Sequence, residues 1–218
     1  MAEALAALSR IGLVPVITIA NPRDAVPLAK ALLDGGIGCV EVTFRTASAE
    51  EAIHGISSTC DELLVGAGTV LTVEQAERAT QAGAQYVVAP GFDPAVVGWC
   101  QAHNVPVIPG VATPTDISLA LARGLHLLKF FPAEAMGGVR TLQALSAPFA
   151  SVRFLPTGGI TAANLPSYLA LPNVAACGGS WMAREDMIST GKFTEIARLS
   201  TQARAIVRQV RGEPEVNR

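Results

Sequence analysis

Eight short runs of apolar, often β-branched residues alternate along the chain with longer Ala- and Leu-rich segments. Short apolar runs between turn residues are typical of buried strands, and the longer segments are typical of helices. We predict strands at Val14–Ile19, Cys39–Phe44, Leu63–Ala67, Tyr86–Ala89, Val107–Ile108, Leu127–Phe131, Val152–Leu155 and Val174–Cys177. We predict helices at Arg23–Asp34, Ser48–Ser57, Val73–Ala82, Pro94–His103, Pro114–Arg123, Val139–Ser146, Ala162–Ala170 and Phe193–Val210.

Capping residues support several of these helix boundaries. Thr72 precedes a helix with Gln75 in the capping-box position, and Asp93 and Thr113 each precede a proline that opens a helix. Glycines at positions 35, 83 and 124 are expected to end three helices.

Strands that are apolar almost throughout, each followed by a helix, predict an α/β fold with a parallel sheet covered by helices. Eight such units favour a closed (β/α)8 TIM barrel over an open doubly wound sheet. No GxGxxG sequence follows the first strand, which argues against a dinucleotide fold. We predict one domain at 1–210 with an extra N-terminal helix over residues 1–10, and a frayed polar tail at 211–218.

Composition excludes several classes of partner. Net charge is −2 with no basic run, so neither a nucleic acid nor an anionic membrane is expected. The four cysteines lack CxxC spacing and are expected to be free thiols. Glu3 and the absence of a basic start argue against a signal peptide, and the apolar run 11–20 is too short to span a membrane. We expect a cytoplasmic protein.

Lys129 lies within the apolar run Leu127–Phe131. Desolvation disfavours the charged ammonium, and a neutral amine in a dry pocket is a nucleophile suited to Schiff-base chemistry on a carbonyl. A buried lysine that only pairs with a carboxylate is the other interpretation, and this run alone does not decide between them.

The second strand carries a candidate acid–base group. With a period of two, Glu41, Thr43 and Arg45 share one face, and we expect that face to point into the barrel mouth. Such groups are costly inside a barrel unless they are paired or used. A purely structural ion pair of Glu41 with Arg45 or Lys129 is the alternative to a catalytic role.

Glycine-rich turns follow the two last strands, at Thr157–Ile160 and Cys177–Ser180. Paired glycines there present backbone N–H groups, which together with a helix N-terminus would form an anion site. The corresponding loops of (β/α)8 barrels bind phosphate. His54, His103 and His126 show no metal-binding spacing, so no metal and no cofactor are expected.

Several of these segments resemble the 2-keto-3-deoxy-6-phosphogluconate (KDPG) aldolases, which also cleave 4-hydroxy-2-oxoglutarate. The resemblance rests on Glu41–Thr46, Gly66–Val70, Lys129–Glu134, Thr157–Ile160 and Gly178–Trp181, in order along nearly the whole chain. It implies a metal-free class I aldolase of the Entner–Doudoroff pathway, on a (β/α)8 barrel that forms a homotrimer. Met136 departs from the pattern, since related members have Asn there, and this change is expected to affect aldehyde specificity.

The same resemblance implies a role for each matching residue. Lys129 would form the Schiff base and Glu41 would shuttle protons. The remaining assignments are carboxylate binding by Arg45 and Thr69, contact with the pyruvyl carbons by Phe131 and Pro90, and phosphate binding by Gly158, Gly159, Gly179 and Ser180. The alternatives that remain are a phosphate-binding isomerase or epimerase without a covalent step, a non-catalytic binding module, and an aldolase for the galactonate epimer.

Overall fold

The computed structural model describes residues 2–212, and its strands follow the apolar runs of the sequence. The strands are β1 (Leu13–Ile17), β2 (Cys39–Thr43), β3 (Leu64–Gly68), β4 (Tyr86–Val88), β5 (Val107–Ile108), β6 (Gly110–Val111), β7 (Leu127–Phe130), β8 (Arg153–Pro156) and β9 (Cys177–Gly179). All eight predicted strands are present in some form. The fifth matches β5, whereas β6, which follows Pro109, was not predicted, and the last strand forms three residues later than predicted.

The helices lie between the strands. They are α1 (Ala2–Ile11), α2 (Ala25–Asp34), α3 (Ala49–Ser57), α4 (Val73–Gln81), α5 (Pro94–Ala102), α6 (Pro114–Ala122), α7 (Gly138–Ser146), α8 (Leu165–Leu169), α9 (Glu185–Ser189) and α10 (Phe193–Arg211). A 3-10 turn at Pro22–Asp24 precedes α2. The short helix α9 was not predicted, and α8 begins three residues later than expected.

The predicted caps are formed by specific hydrogen bonds. The Thr72 side chain accepts from the backbone of Gln75, and Thr113 forms a full capping box with Asp116. These contacts satisfy N–H groups that have no partner inside the helix.

All strand pairing is parallel and falls into two sheets. The six-stranded sheet has the order β5-β4-β3-β2-β1-β9, and the three-stranded sheet has the order β6-β7-β8. Two isolated bridges, Phe154 with Val174 and Thr157 with Gly178, connect the sheets beside β9. The result is a parallel α/β fold with a curled sheet, without the uninterrupted ladder around all strands that the predicted closed barrel requires.

The core lies between the strands and the helices that cover them. Phe130 and Phe154 contact each other edge to face with ring centroids 6.3 Å apart, and Tyr86 and Tyr168 are fully buried. Helix α10 continues through Arg211, one residue into the predicted tail, and residues 213–218 lie outside the described part of the chain. Within residues 2–212, no helix combines the length and the apolar character needed to cross a membrane.

Candidate active site

Strands β2 and β7 bring the two candidate catalytic side chains together. The Lys129 Nζ atom lies 3.2 Å from Glu41 Oε1, although 88 residues separate the two in sequence. Their side chains are 4% and 0% exposed, so the pair is shielded from bulk water. A buried amine in contact with a carboxylate can exchange a proton with it directly.

Glu41 retains capacity for a further hydrogen bond. Its Oε2 atom is buried and has no hydrogen-bond partner among the described residues. Lys129 Nζ also lies 5.3 Å from the centroid of the Phe131 ring. A structural ion pair is normally fully satisfied, because an unpaired buried carboxylate oxygen is costly. The free oxygen therefore favours a site that receives a ligand or water over a pair that only closes the fold.

Glycines on β3 make room for the β2 side chains. In the strand register Gly66 is opposite Glu41 and Gly68 is opposite Thr43. A Cβ atom on Gly68 would lie 2.1 Å from Glu41 Oε1. Tyr86 fills the space beside Gly66 and donates to the Val40 carbonyl at 2.9 Å. Burial, with smaller contributions from Cys39 and Glu41, raises the pKa of Tyr86, which therefore remains a neutral phenol.

Arg45 and Thr69 meet at the end of β2 and β3. Arg45 Nε donates to Thr69 Oγ1 at 3.2 Å. Thr69 has a φ of 57°, a left-handed conformation that is rare for a β-branched residue. Such backbone strain is concentrated at functional sites, and here it accompanies a hydroxyl held against an arginine. Arg45 is exposed, so its guanidinium is accessible to an anionic ligand.

A cavity of about 540 Å³ opens beside these residues. It is lined by Val16, Thr18, Thr43, Arg45, Phe131, Thr157, Gly158, Gly159, Ile160, Gly178, Gly179, Ser180, Ala183, Arg184 and Glu185. Lys129, Glu41 and Thr69 are not in the lining. Lys129 neighbours the lining residue Phe131, and Thr69 is hydrogen-bonded to the lining residue Arg45.

The two glycine-rich turns form one side of this cavity. Gly158 and Gly159 have φ values of 99° and 81°, which a residue with a Cβ atom rarely adopts. Within residues 2–212, the backbone N–H groups of Gly159 and Ser180 donate to no acceptor. Unpaired N–H groups beside a cavity are suited to bind an anion.

The helices that follow the two turns are short, and their predicted contribution to the anion site remains a prediction. Helix α8 begins only at Leu165, after a turn, and both α8 and α9 have five residues. Two acidic residues, Glu185 and Asp186, occupy the first turn of α9. An acidic first turn opposes binding of an anion at this helix N-terminus, so the N–H groups of the turns are the better candidates.

Two further predicted positions are not part of the cavity lining. Pro90 follows β4, and its carbonyl oxygen would be 2.1 Å from a Cβ atom on Gly110, so it packs against the neighbouring strand. Met136 is 38% exposed on the protein surface. Neither residue lines the cavity, and their assigned roles remain predictions.

Sequence reasoning missed several cavity residues. Thr18 lines the cavity, and its hydroxyl lies 3.0 Å from that of Thr43. Arg184 and Glu185 also line it. Thr18 could have been found from its position at the end of the first strand. Arg184 lies beyond the glycine turn, where nothing in the sequence indicates that the chain returns to the cavity.

Comparisons with known proteins agree on one family. The family model "KDPG and KHG aldolase" matches residues 5–199. A 2-dehydro-3-deoxy-phosphogluconate aldolase of Treponema pallidum is 54% identical over 201 residues, covering 92% of this chain and 96% of the relative. A KHG/KDPG aldolase of Escherichia coli is 45% identical over 190 residues, covering 87% of this chain and 89% of the relative.

Solved structures give the same result. The crystal structure of a KDPG aldolase from Legionella pneumophila, with pyruvate captured as a covalent carbinolamine intermediate, superposes with a TM-score of 0.88 at 40% identity. The match covers 91% of this chain and 96% of that structure. On the family model and these identities, the chain belongs to the KDPG and KHG aldolase family.

Proposed function

We propose that this chain is a class I aldolase that reversibly cleaves KDPG to pyruvate and glyceraldehyde 3-phosphate. The observation that carries the proposal is the buried Lys129–Glu41 pair beside a cavity with unpaired backbone N–H groups. Relatives named as KDPG aldolases, and a related enzyme holding pyruvate as a carbinolamine, support the same chemistry.

Lys129 is the proposed nucleophile and Glu41 its proton shuttle. The neutral amine adds to the C2 ketone, and Glu41 passes the protons needed to form the carbinolamine and expel water. The resulting protonated imine accepts electrons. Loss of the C4 hydroxyl proton then breaks the C3–C4 bond, releasing glyceraldehyde 3-phosphate and leaving an enamine. Protonation at C3 and hydrolysis give pyruvate and restore Lys129.

The pyruvyl end of the substrate is assigned to Arg45 and Thr69. The Arg45 guanidinium is suited to bind a carboxylate. The hydrogen bond from Arg45 Nε to the Thr69 hydroxyl, at 3.2 Å, fixes the orientation of the guanidinium. Phe131 is proposed to flank the pyruvyl carbons, in keeping with its ring lying 5.3 Å from Lys129 Nζ. Pro90 is proposed as a second flanking residue on the family resemblance alone.

The phosphate is assigned to Gly158, Gly159, Gly179 and Ser180, because the unpaired N–H donors of two turns meet at the cavity there. Binding energy at this end positions the substrate without touching the bond that breaks. Cleavage of 4-hydroxy-2-oxoglutarate to pyruvate and glyoxylate is proposed as a second activity, since the E. coli relative carries both substrates in its name.

The larger assembly is part of the proposal. Pairing of Phe154 with Val174 and of Thr157 with Gly178 supports closure of the strands into a (β/α)8 barrel. Exposed Leu71 and Leu119, at 55% and 50%, are candidates for contacts in a homotrimer, which light scattering would test. Four free cysteines fit a reducing compartment, and we assign the protein to the cytoplasm.

Borohydride reduction in the presence of pyruvate tests the covalent step. The wild-type chain should gain the mass of a reduced pyruvyl group, mapped to Lys129 by peptide mass spectrometry. Lys129→Met should gain none and should release no pyruvate from KDPG, while keeping the wild-type circular dichroism spectrum. An active wild-type enzyme that is not modified would instead indicate a non-covalent isomerase or epimerase.

A further inference from the structure

The segment after β7 is tied to the first glycine turn through its backbone. Ala133 N donates to the Thr157 carbonyl at 2.8 Å, and Glu134 N donates to the Gly158 carbonyl at 3.1 Å. Movement of this segment therefore moves the turn that lines the substrate cavity.

The Glu134 side chain adds a second contact to the same turn. A Cβ atom on Gly159 would lie 2.5 Å from Glu134 Cγ, so the glycine backbone rests directly against this side chain. Glu134 Oε1 in turn accepts a hydrogen bond from the hydroxyl of Tyr168. Tyr168 belongs to α8 and is fully buried, which gives the carboxylate a rigid attachment to the core.

Two further observations support this arrangement. Burial, followed by the hydrogen bond to Glu134, raises the pKa of Tyr168, so its hydroxyl keeps the proton that it donates. Glu134 and Tyr168 line a separate cavity of about 440 Å³ and do not line the substrate cavity. The carboxylate therefore does not line the site that the phosphate would occupy.

We propose that Glu134 and Tyr168 are positioning residues that fix the Gly158–Gly159 turn and thereby determine the affinity for the phosphate end of the substrate. This inference rests on the proposed function. The physical reason is preorganisation: N–H donors that are already in place need no rearrangement when the anion binds, whereas a mobile turn loses that advantage. Neither side chain takes part in the chemistry at Lys129.

Tyr168→Phe is the most direct test, because it removes one hydroxyl and keeps the buried ring. The KM for KDPG should rise about fivefold to tenfold, as expected for loss of one ordinary hydrogen bond. The kcat for KDPG and both constants for 4-hydroxy-2-oxoglutarate, which carries no phosphate, should stay within about twofold of wild type.

Three companion variants separate positioning from general destabilisation. Tyr86→Phe also removes a buried tyrosine hydroxyl hydrogen bond, but at β4, so it should change both substrates in the same proportion. Glu134→Gln keeps an acceptor for the Tyr168 hydroxyl and should retain the wild-type KM, whereas Glu134→Leu should reproduce the effect of Tyr168→Phe.

Titration with inorganic phosphate, followed by the amide NMR signals of Gly158 and Gly159, gives a readout that does not depend on turnover. Weaker phosphate binding in Tyr168→Phe, with wild-type binding in Tyr86→Phe, supports the inference. Equal losses for both substrates, or unchanged phosphate binding in Tyr168→Phe, would overturn it. If the wild-type chain cleaves neither substrate, the proposed function fails and the phosphate titration alone decides this inference.

Discussion

Gly68→Ala should disable the enzyme without altering any residue that touches substrate. Gly68 ends β3, and its φ is not in the positive range, so alanine is compatible with the backbone. The added methyl group would lie 2.1 Å from Glu41 Oε1 and 2.5 Å from Glu41 Cγ. Because Glu41 is fully buried, its carboxylate has no solvent into which it can move without leaving Lys129.

The expected size of the effect follows from these distances. An ordinary contact begins at 3.4 Å, so the carboxylate oxygen must move by about 1.3 Å. A displacement of about 1 Å in a catalytic group costs about 100-fold in rate. We therefore expect kcat for KDPG to fall about 100-fold, equivalent to about 2.7 kcal/mol of activation free energy.

A lactate-dehydrogenase-coupled assay of pyruvate release measures this loss. Gly38→Ala is a matched control, because a Cβ atom there meets nothing closer than 3.9 Å. Thermal unfolding of both variants establishes that they are folded at the assay temperature. If folded Gly68→Ala retains kcat within threefold of wild type, Glu41 does not act from the position described above.

Three other outcomes are expected. Arg45→Ala should lower kcat/KM about 10- to 100-fold, as expected for loss of a charged hydrogen bond. The pyruvate concentration needed for half-maximal borohydride trapping should rise by a similar factor. Hydrogen bonds from the backbone of residues 112 and 113 outweigh burial, which acts in the opposite direction, and lower the pKa of Asp116 from 3.8. The Asp116 carboxylate therefore stabilises the fold above pH 3.8, and this stabilisation is lost as the pH falls through the lower pKa of the folded state. In urea unfolding, the difference in free energy of unfolding between wild type and Asp116→Asn should become smaller between pH 7 and pH 3. All four cysteines are buried, and burial raises the pKa of Cys100 to about 11, so iodoacetamide should modify none in the native protein and all four after unfolding.

The sequence predicted the strands and the central pair because strong local patterns encode them. Alternation along β2 placed Glu41, Thr43 and Arg45 on one face, and burial of Lys129 followed from its apolar neighbours. The start of β9 was misplaced because Val174 is apolar but forms only an isolated bridge, while the ladder to β1 runs through glycines that carry no strand signal.

Other features depend on long-range contacts and could not be predicted. The association of Glu134 with Tyr168 joins the loop after β7 to helix α8 through a buried hydroxyl, and neither residue is unusual in its own segment. The return of Arg184 to the cavity depends on a turn closed by the hydrogen bond from Ala183 N to the Ser180 carbonyl at 3.1 Å. Local propensity contains no information on such contacts.

The two ends of the cavity are built from different kinds of structure. Glu41 and Lys129 stand on strands whose neighbours are fixed by backbone ladders, whereas Gly158 and Ser180 stand on connections outside them. Under the proposed substrate orientation, redesign for another aldehyde can be confined to the connections, and the strands that carry Lys129 and Glu41 can be left unchanged. Mutant libraries for new aldehydes should vary those two connections, because changes in their length leave the strand register intact.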